Sequence, residues 1–127
     1  MSKEFYTEAD LANFRDCQSM AYDAVQAVAR RLTAGMTEKQ AAEMIDEEIK
    51  GRGMTRYFHA PFAWFGARTA FQGFERPFDL SRFPASLLPP HFGQKFMPTE
   101  TRLEEGMGVI LDVAPIYNDC AADIGYA

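Results

Sequence analysis

The chain has 127 residues, a formal charge of −5 from 13 basic and 18 acidic side chains, 47% hydrophobic residues and two cysteines. That length fits one globular domain better than two. No apolar run approaches the ~20 residues that span a bilayer, and the first residues lack the basic and apolar blocks of a secretory signal, so a cytoplasmic, membrane-free protein is expected. Cys17 and Cys120 are far apart and form no CxxC pair, so they read as reduced, buried small apolar residues. Apart from Arg30-Arg31 the basic residues are scattered singly, which disfavours a nucleic-acid partner.

In chain order, the first element opens at Thr7-Glu8-Ala9-Asp10, where the threonine caps the first amides and the acid three residues on suits a helix N-terminus. Leu11, Phe14, Met20/Ala21, Ala24/Val25, Val28 and Leu32 then form one apolar stripe, predicting an amphipathic helix over residues 8–33 that stops at Gly35. Thr37-Glu38-Lys39-Gln40 is a capping box that starts a second helix with Ala41, Met44, Ile45 and Ile49 on one face, ending at Gly51 or Gly53. Residues 8–53 are therefore expected to form a helical pair.

Residues 54–104 hold most of the aromatics, both histidines and the prolines Pro61, Pro77, Pro84, Pro89, Pro90 and Pro98. That proline spacing forbids long helices and predicts loops around short strands such as 62–65. A long irregular stretch inside a compact domain is more often an active-site or interface segment than filler, although its aromatics equally suit a core.

Residues 105–127 are read as a hairpin. Val109 to Ala114 is a β-branched, apolar strand interrupted by Asp112, and Tyr117-Asn118-Asp119 supplies the turn. Asp123 follows Asp112 by eleven residues. With Tyr117-Asn118 as a two-residue loop the two aspartates are direct cross-strand partners, about 4.5–5.5 Å apart at Cβ. With Asn118-Asp119 as the loop they are diagonal neighbours on the same face, and only an odd loop or a bulge separates them. A carboxylate in an apolar strand needs a cation or a donor, and two converging carboxylates repel unless a proton or a divalent ion lies between them. Metal binding is the chemical expectation. The plainer alternative leaves one aspartate as a surface residue beside the turn.

The stretch Leu103-Glu104-Glu105-Gly106-Met107-Gly108-Val109-Ile110-Leu111-Asp112-Val113-Ala114-Pro115-Ile116-Tyr117-Asn118-Asp119-Cys120-Ala121-Ala122-Asp123 resembles the first metal-ligand hairpin of the creatinase, prolidase and methionine aminopeptidase family, the pita-bread metallopeptidases. The Gly35-Met36-Thr37-Glu38 helix start and Trp64-Phe65-Gly66-Ala67-Arg68-Thr69 resemble other parts of that pattern, in the same order. The resemblance implies an α+β chain, the N-terminal half of a pita-bread fold: two helices, an irregular aromatic segment and an antiparallel hairpin. It implies a metal-dependent aminopeptidase or Xaa-Pro peptidase acting on peptides through a water activated by two divalent ions (Mn, Co, Fe or Zn). Asp112 would hold one ion through both oxygens and Asp123 would bridge the pair. His91, 21 residues before Asp112, is the candidate for substrate contact and proton transfer, and His59, beside Pro61, is its competitor.

The resemblance also implies a histidine and two glutamates as further ligands, and after Asp123 the sequence given has only Ile124, Gly125, Tyr126 and Ala127. The expectation is therefore little or no peptidase activity from this chain alone, as a fragment of a larger enzyme. The alternative is a non-catalytic interaction module, or a homodimer that restores the two-half symmetry or accepts a missing C-terminal half.

Overall fold

The computed structural model describes residues 5–70 and 97–127. Helix α1 runs Glu8–Ala29 and α2 runs Glu38–Gly51. Both start as the sequence predicts. Thr7 and Thr37 each accept the amide of the residue three positions on, and their own amides donate to the side-chain oxygens of Asp10 and Gln40. Helix α1 ends four residues before the predicted 33. The chain tightens there into a short turn, with the Arg31 amide bonded to the Val28 carbonyl, and Gly35 supplies a left-handed φ of 93° in the connection.

Among the described residues a four-stranded antiparallel sheet lies against the helices. Its strands are β1 (Arg56–Phe65), β2 (Val109–Tyr117), β3 (Cys120–Ala121) and β4 (Ile124–Tyr126), with β1 on one side of β2 and β3 and β4 on the other. The core between helices and sheet takes Cys17, Ala21, Val25 and Val28 from α1 and Ala41, Ile45 and Ile49 from α2. Ala63, Phe65, Leu111, Val113 and Ile124 meet them from the sheet. Both cysteines are buried and unpaired, as expected of small apolar packing residues.

Strand β1 begins six residues before the predicted 62. It accommodates Pro61 because, among the described strands, it lies at an edge and carries two irregularities, one between Tyr57 and His59 and one between His59 and Phe62. A proline is tolerated where the ladder is already interrupted. Past its far end, residues 97–103 run beside the connection between the helices, with the Gly35 amide bonded to the Leu103 carbonyl and the Leu103 amide to that of Met36.

One buried carboxylate joins these parts. Glu38, the first residue of α2, is fully buried; it accepts the Phe65 amide at 2.8 Å, the Thr99 amide at 2.9 Å and the Thr99 hydroxyl at 2.7 Å. The Arg68 guanidinium lies 3.1 Å away, so the buried charge is balanced. None of the described helices is long and apolar enough to cross a membrane.

Candidate metal centre

The turn between β2 and β3 is Asn118-Asp119, both at left-handed φ (49° and 59°), and Tyr117 pairs with Cys120 across it. A two-residue turn with both φ values positive matches the twist of a hairpin, and Asn and Asp are the non-glycine residues that tolerate it best. Of the two registers open to the sequence, the structure has the diagonal one. Asp112 pairs with Gly125 and Val113 with Ile124. Asp123 consequently falls across from Ala114, on the face that Asp112 occupies.

His59 reaches that face because of the bulges. Counting back from the core residues Phe65 and Ala63 in strict alternation would turn position 59 inward. The irregularity before Phe62 inserts a residue, pairs His59 with Ala114 and turns its ring outward. The second irregularity restores the inward direction for Tyr57, whose hydroxyl donates to Asp46 of α2 at 2.5 Å. Ala114 thus has His59 on one flank and Asp123 on the other, and its methyl group is the low floor over which they converge.

The geometry is close. His59 Nε2 lies 3.1 Å from Asp112 Oδ1 and 3.4 Å from Asp123 Oδ1, and one ligand atom from each of the three residues lies within 4.8 Å of the others. His59 and Asp112 are partly buried, whereas Asp123 is largely exposed. On its other side the imidazole is held by Nδ1 against the Ala60 carbonyl at 2.9 Å. A carbonyl can only accept, so Nδ1 is the donor of that contact and Nε2 is the ring atom that faces the carboxylates, the orientation that metal-ligating histidines adopt when a carbonyl holds them. Asp112 Oδ1 is shut off from solvent and accepts no hydrogen bond from the described residues, so its contact with His59 is close without being an aligned bond.

Three features of the chain fit a divalent cation. Among the described residues the buried Asp112 Oδ1 has no hydrogen-bond donor, an imidazole nitrogen lies 3.1 Å from it, and the set of one ring nitrogen and carboxylate oxygens suits a divalent metal ion. Gly125 adds a fourth, because a Cβ there would sit 3.2 Å from Asp112 Oδ2, and its absence keeps that oxygen open. Burial pushes the Asp112 carboxyl up to about 6, with the Asp123 carboxylate reinforcing the rise and the His59 imidazole opposing it.

The structure thus brings together Asp112 and Asp123, both singled out by the sequence, with His59, the competitor histidine. His91 lies outside the described residues. Ala114 and Gly125 were not singled out by sequence reading; smallness opposite an acid is the signal each carries, and it becomes visible only with the register known.

Solved structures share this architecture. The X-Pro aminopeptidase of Thermotoga maritima superposes with a TM-score of 0.70 at 18% identity, over 94% of this chain and 28% of its own. The prolidase of Pyrococcus furiosus gives 0.69 at 21%, over 94% and 30%, and the Xaa-Pro dipeptidase of Bacillus anthracis 0.69 at 18%, over 94% and 27%. The likeness shows the α+β, pita-bread architecture expected from the sequence. The chain spans less than a third of the length of each of these proteins. No curated protein matches it in sequence. The model of metallopeptidase family M24 matches residues 12–127, nearly the whole chain, and the chain belongs to that family.

Proposed function

We propose that this chain carries the metal-binding face of a peptide hydrolase of the aminopeptidase or Xaa-Pro peptidase kind. The observation that supports the reading best is the convergence of His59 Nε2 on Asp112 and Asp123 over the Ala114 floor. Asp112 is the inner ligand, partly buried, with an Oδ1 that has no hydrogen-bond donor among the described residues. Asp123 is the outer ligand, exposed enough to be shared with a second ion or with residues beyond this cluster. His59 orients the cluster through its Nδ1 contact and gives the site its nitrogen donor. A bound divalent ion supplies Lewis-acid polarisation of a carbonyl and lowers the pKa of water.

The cluster offers two carboxylates and one imidazole where the resemblance implies five ligands for two ions. We therefore assign metal binding to the chain as given and assign peptide turnover to a site completed by further ligands, with His91 the remaining candidate for substrate contact. A second reading is a non-catalytic module or dimer of the same fold; the short edge strand β4, which among the described strands pairs with β2 alone, supports it.

Calorimetric titration of the purified chain with Mn, Co and Zn tests the assignment. The expected result is saturable binding that Asp112→Ala abolishes and that His59→Ala weakens by about tenfold or more. Equal affinity in the parent and in both variants would refute it. Sedimentation of the same samples separates the second reading: a concentration-dependent dimer favours it, and a monomer that binds metal does not.

A further inference from the structure

Strand β1 carries His59 on its least supported stretch. From Phe62 to Phe65 its ladder with β2 is regular, and at the other end Arg56 and Tyr57 pair with Ile116 and Pro115. Between these two blocks the register shifts twice, so His59 opposite Ala114 is the single described pair between Tyr57 and Phe62. Phe58 is 78% exposed and Pro61 has no amide to donate, so neither gives the segment much hold. A ligand atom must stay within about 0.5 Å of its working position, and an interrupted ladder does not supply that precision by itself.

The segment is instead held at its ends. At one end Phe62 pairs with Asp112. At the other, the Tyr57 ring packs against the core and its hydroxyl donates to Asp46 Oδ1 on α2 at 2.5 Å. The second oxygen, Asp46 Oδ2, accepts Lys50 Nζ at 2.7 Å from one turn further along the helix. Burial works to raise the Asp46 carboxyl, yet the hydrogen bonds from Lys50 and Tyr57 hold it below the ordinary aspartate value, so it is an ionised acceptor at neutral pH. A hydroxyl on an ionised acceptor makes a short, charge-assisted bond, stronger than one between neutral groups. Tyr57 is thereby pinned to a rigid helix two residues before His59.

Resting on the metal-binding reading above, we propose that Tyr57 and Asp46 are positioning residues for the metal centre: the tyrosine hydroxyl, anchored on α2, fixes the start of the bulged segment and so holds His59 Nε2 over Asp112 and Asp123. Both residues lie on the helix side of the sheet and the cluster lies on the other, so the effect passes through the backbone of residues 57–59. It follows that the pair acts only through His59. Its removal costs at most what the loss of the imidazole costs.

The test is calorimetric titration of the purified chain with Mn. Tyr57→Phe keeps the packed ring and removes the hydroxyl. It should weaken Mn binding by roughly threefold to tenfold, since losing a direct partner of a metal ligand costs about ten- to hundredfold and this pair acts one step further out. Asp46→Ala should match it, and Asp46→Asn, whose amide oxygen still accepts the hydroxyl, should recover most of the affinity. In a His59→Ala background Tyr57→Phe should change nothing further, which separates positioning from a general loosening of the fold. In the metal-free protein the His59 ring resonances, identified by their loss in His59→Ala, should move in Tyr57→Phe. Parent-like affinity in both Tyr57→Phe and Asp46→Ala, or an equal loss with and without His59, overturns the proposal and leaves the metal centre standing. No saturable Mn binding by the parent chain overturns the metal centre itself, and this proposal with it.

Discussion

Replacing Glu38 with glutamine should unfold the domain far more easily than its place in the first turn of a helix suggests. The carboxylate is fully buried, and each oxygen takes two contacts: Oε1 receives the Thr99 amide and hydroxyl, and Oε2 receives the Phe65 amide and faces Arg68 Nε. A carboxamide has one oxygen and one donor group, so whichever way it turns, two contacts on one side become donor against donor. Unsatisfied buried donors cost about 1–3 kcal/mol each, and an uncompensated buried charge about 3–5 kcal/mol. The combined loss should be roughly 3–5 kcal/mol after relaxation, a large part of the ~5–15 kcal/mol that a domain has. Urea unfolding followed by circular dichroism should show a lower midpoint with an unchanged slope. Glu43→Gln, an exposed change on the same helix, should stay within about 0.5 kcal/mol of the parent. A Glu38→Gln midpoint equal to that of Glu43→Gln would refute the reasoning. The damage should extend beyond α2, since Glu38 ties the end of β1 and residues 99–101 to the helix, and through Arg68 it steadies Trp64.

The remaining predictions concern the hairpin. Because burial raises the folded Asp112 carboxyl to about 6, above the ordinary aspartate value of 3.8, the folded state binds the proton more tightly than the unfolded chain. The metal-free protein should therefore be most stable below about pH 4 as far as this group is concerned, and should lose up to about 3 kcal/mol as pH rises to about 6. Asp112→Asn should remove that slope and stabilise the metal-free fold at neutral pH while abolishing metal binding; thermal melts between pH 4 and 7.5 with and without Mn check both halves. Asp119→Gly should raise stability by about 0.5–1 kcal/mol, because glycine adopts the left-handed φ of 59° without strain and the exposed Arg56–Asp119 pair contributes little. A lower urea midpoint in that variant would contradict the turn assignment.

Much of the helical half could be read from the sequence because its determinants are local. Thr7 with Asp10 and Thr37 with Gln40 satisfy amides within one turn, so spacing alone predicts both helix starts. The end of α1 is set by competition between a last α-turn and a tighter one, which apolar spacing does not resolve. The hairpin was legible to within one choice, since both even loops put Asp112 and Asp123 on one face and only the strain-tolerant Asn118-Asp119 pair selects the diagonal register.

The histidine shows where local reasoning stops. In an unbroken strand, position 59 shares a face with Ala63 and Phe65 and would point into the core. Its direction depends on the bulge before Phe62, and that bulge depends on Pro61 lacking an amide to donate, on β1 lying at the sheet edge and on Tyr57 needing its own inward turn toward Asp46. Only the first of these is local; the place of β1 in the sheet and the Tyr57–Asp46 contact involve partners more than ten residues away, so a window around His59 does not show them. Glu38 misleads for the same reason: an acid at the start of a helix looks like a favourable charge near the macrodipole, and only Phe65, Arg68 and Thr99, brought there by the rest of the fold, make it the buried centre of the structure. The two cases have one physical basis. A charged or titratable side chain becomes functional or structural according to which distant groups share its burial, and the sequence displays those groups without displaying that they meet.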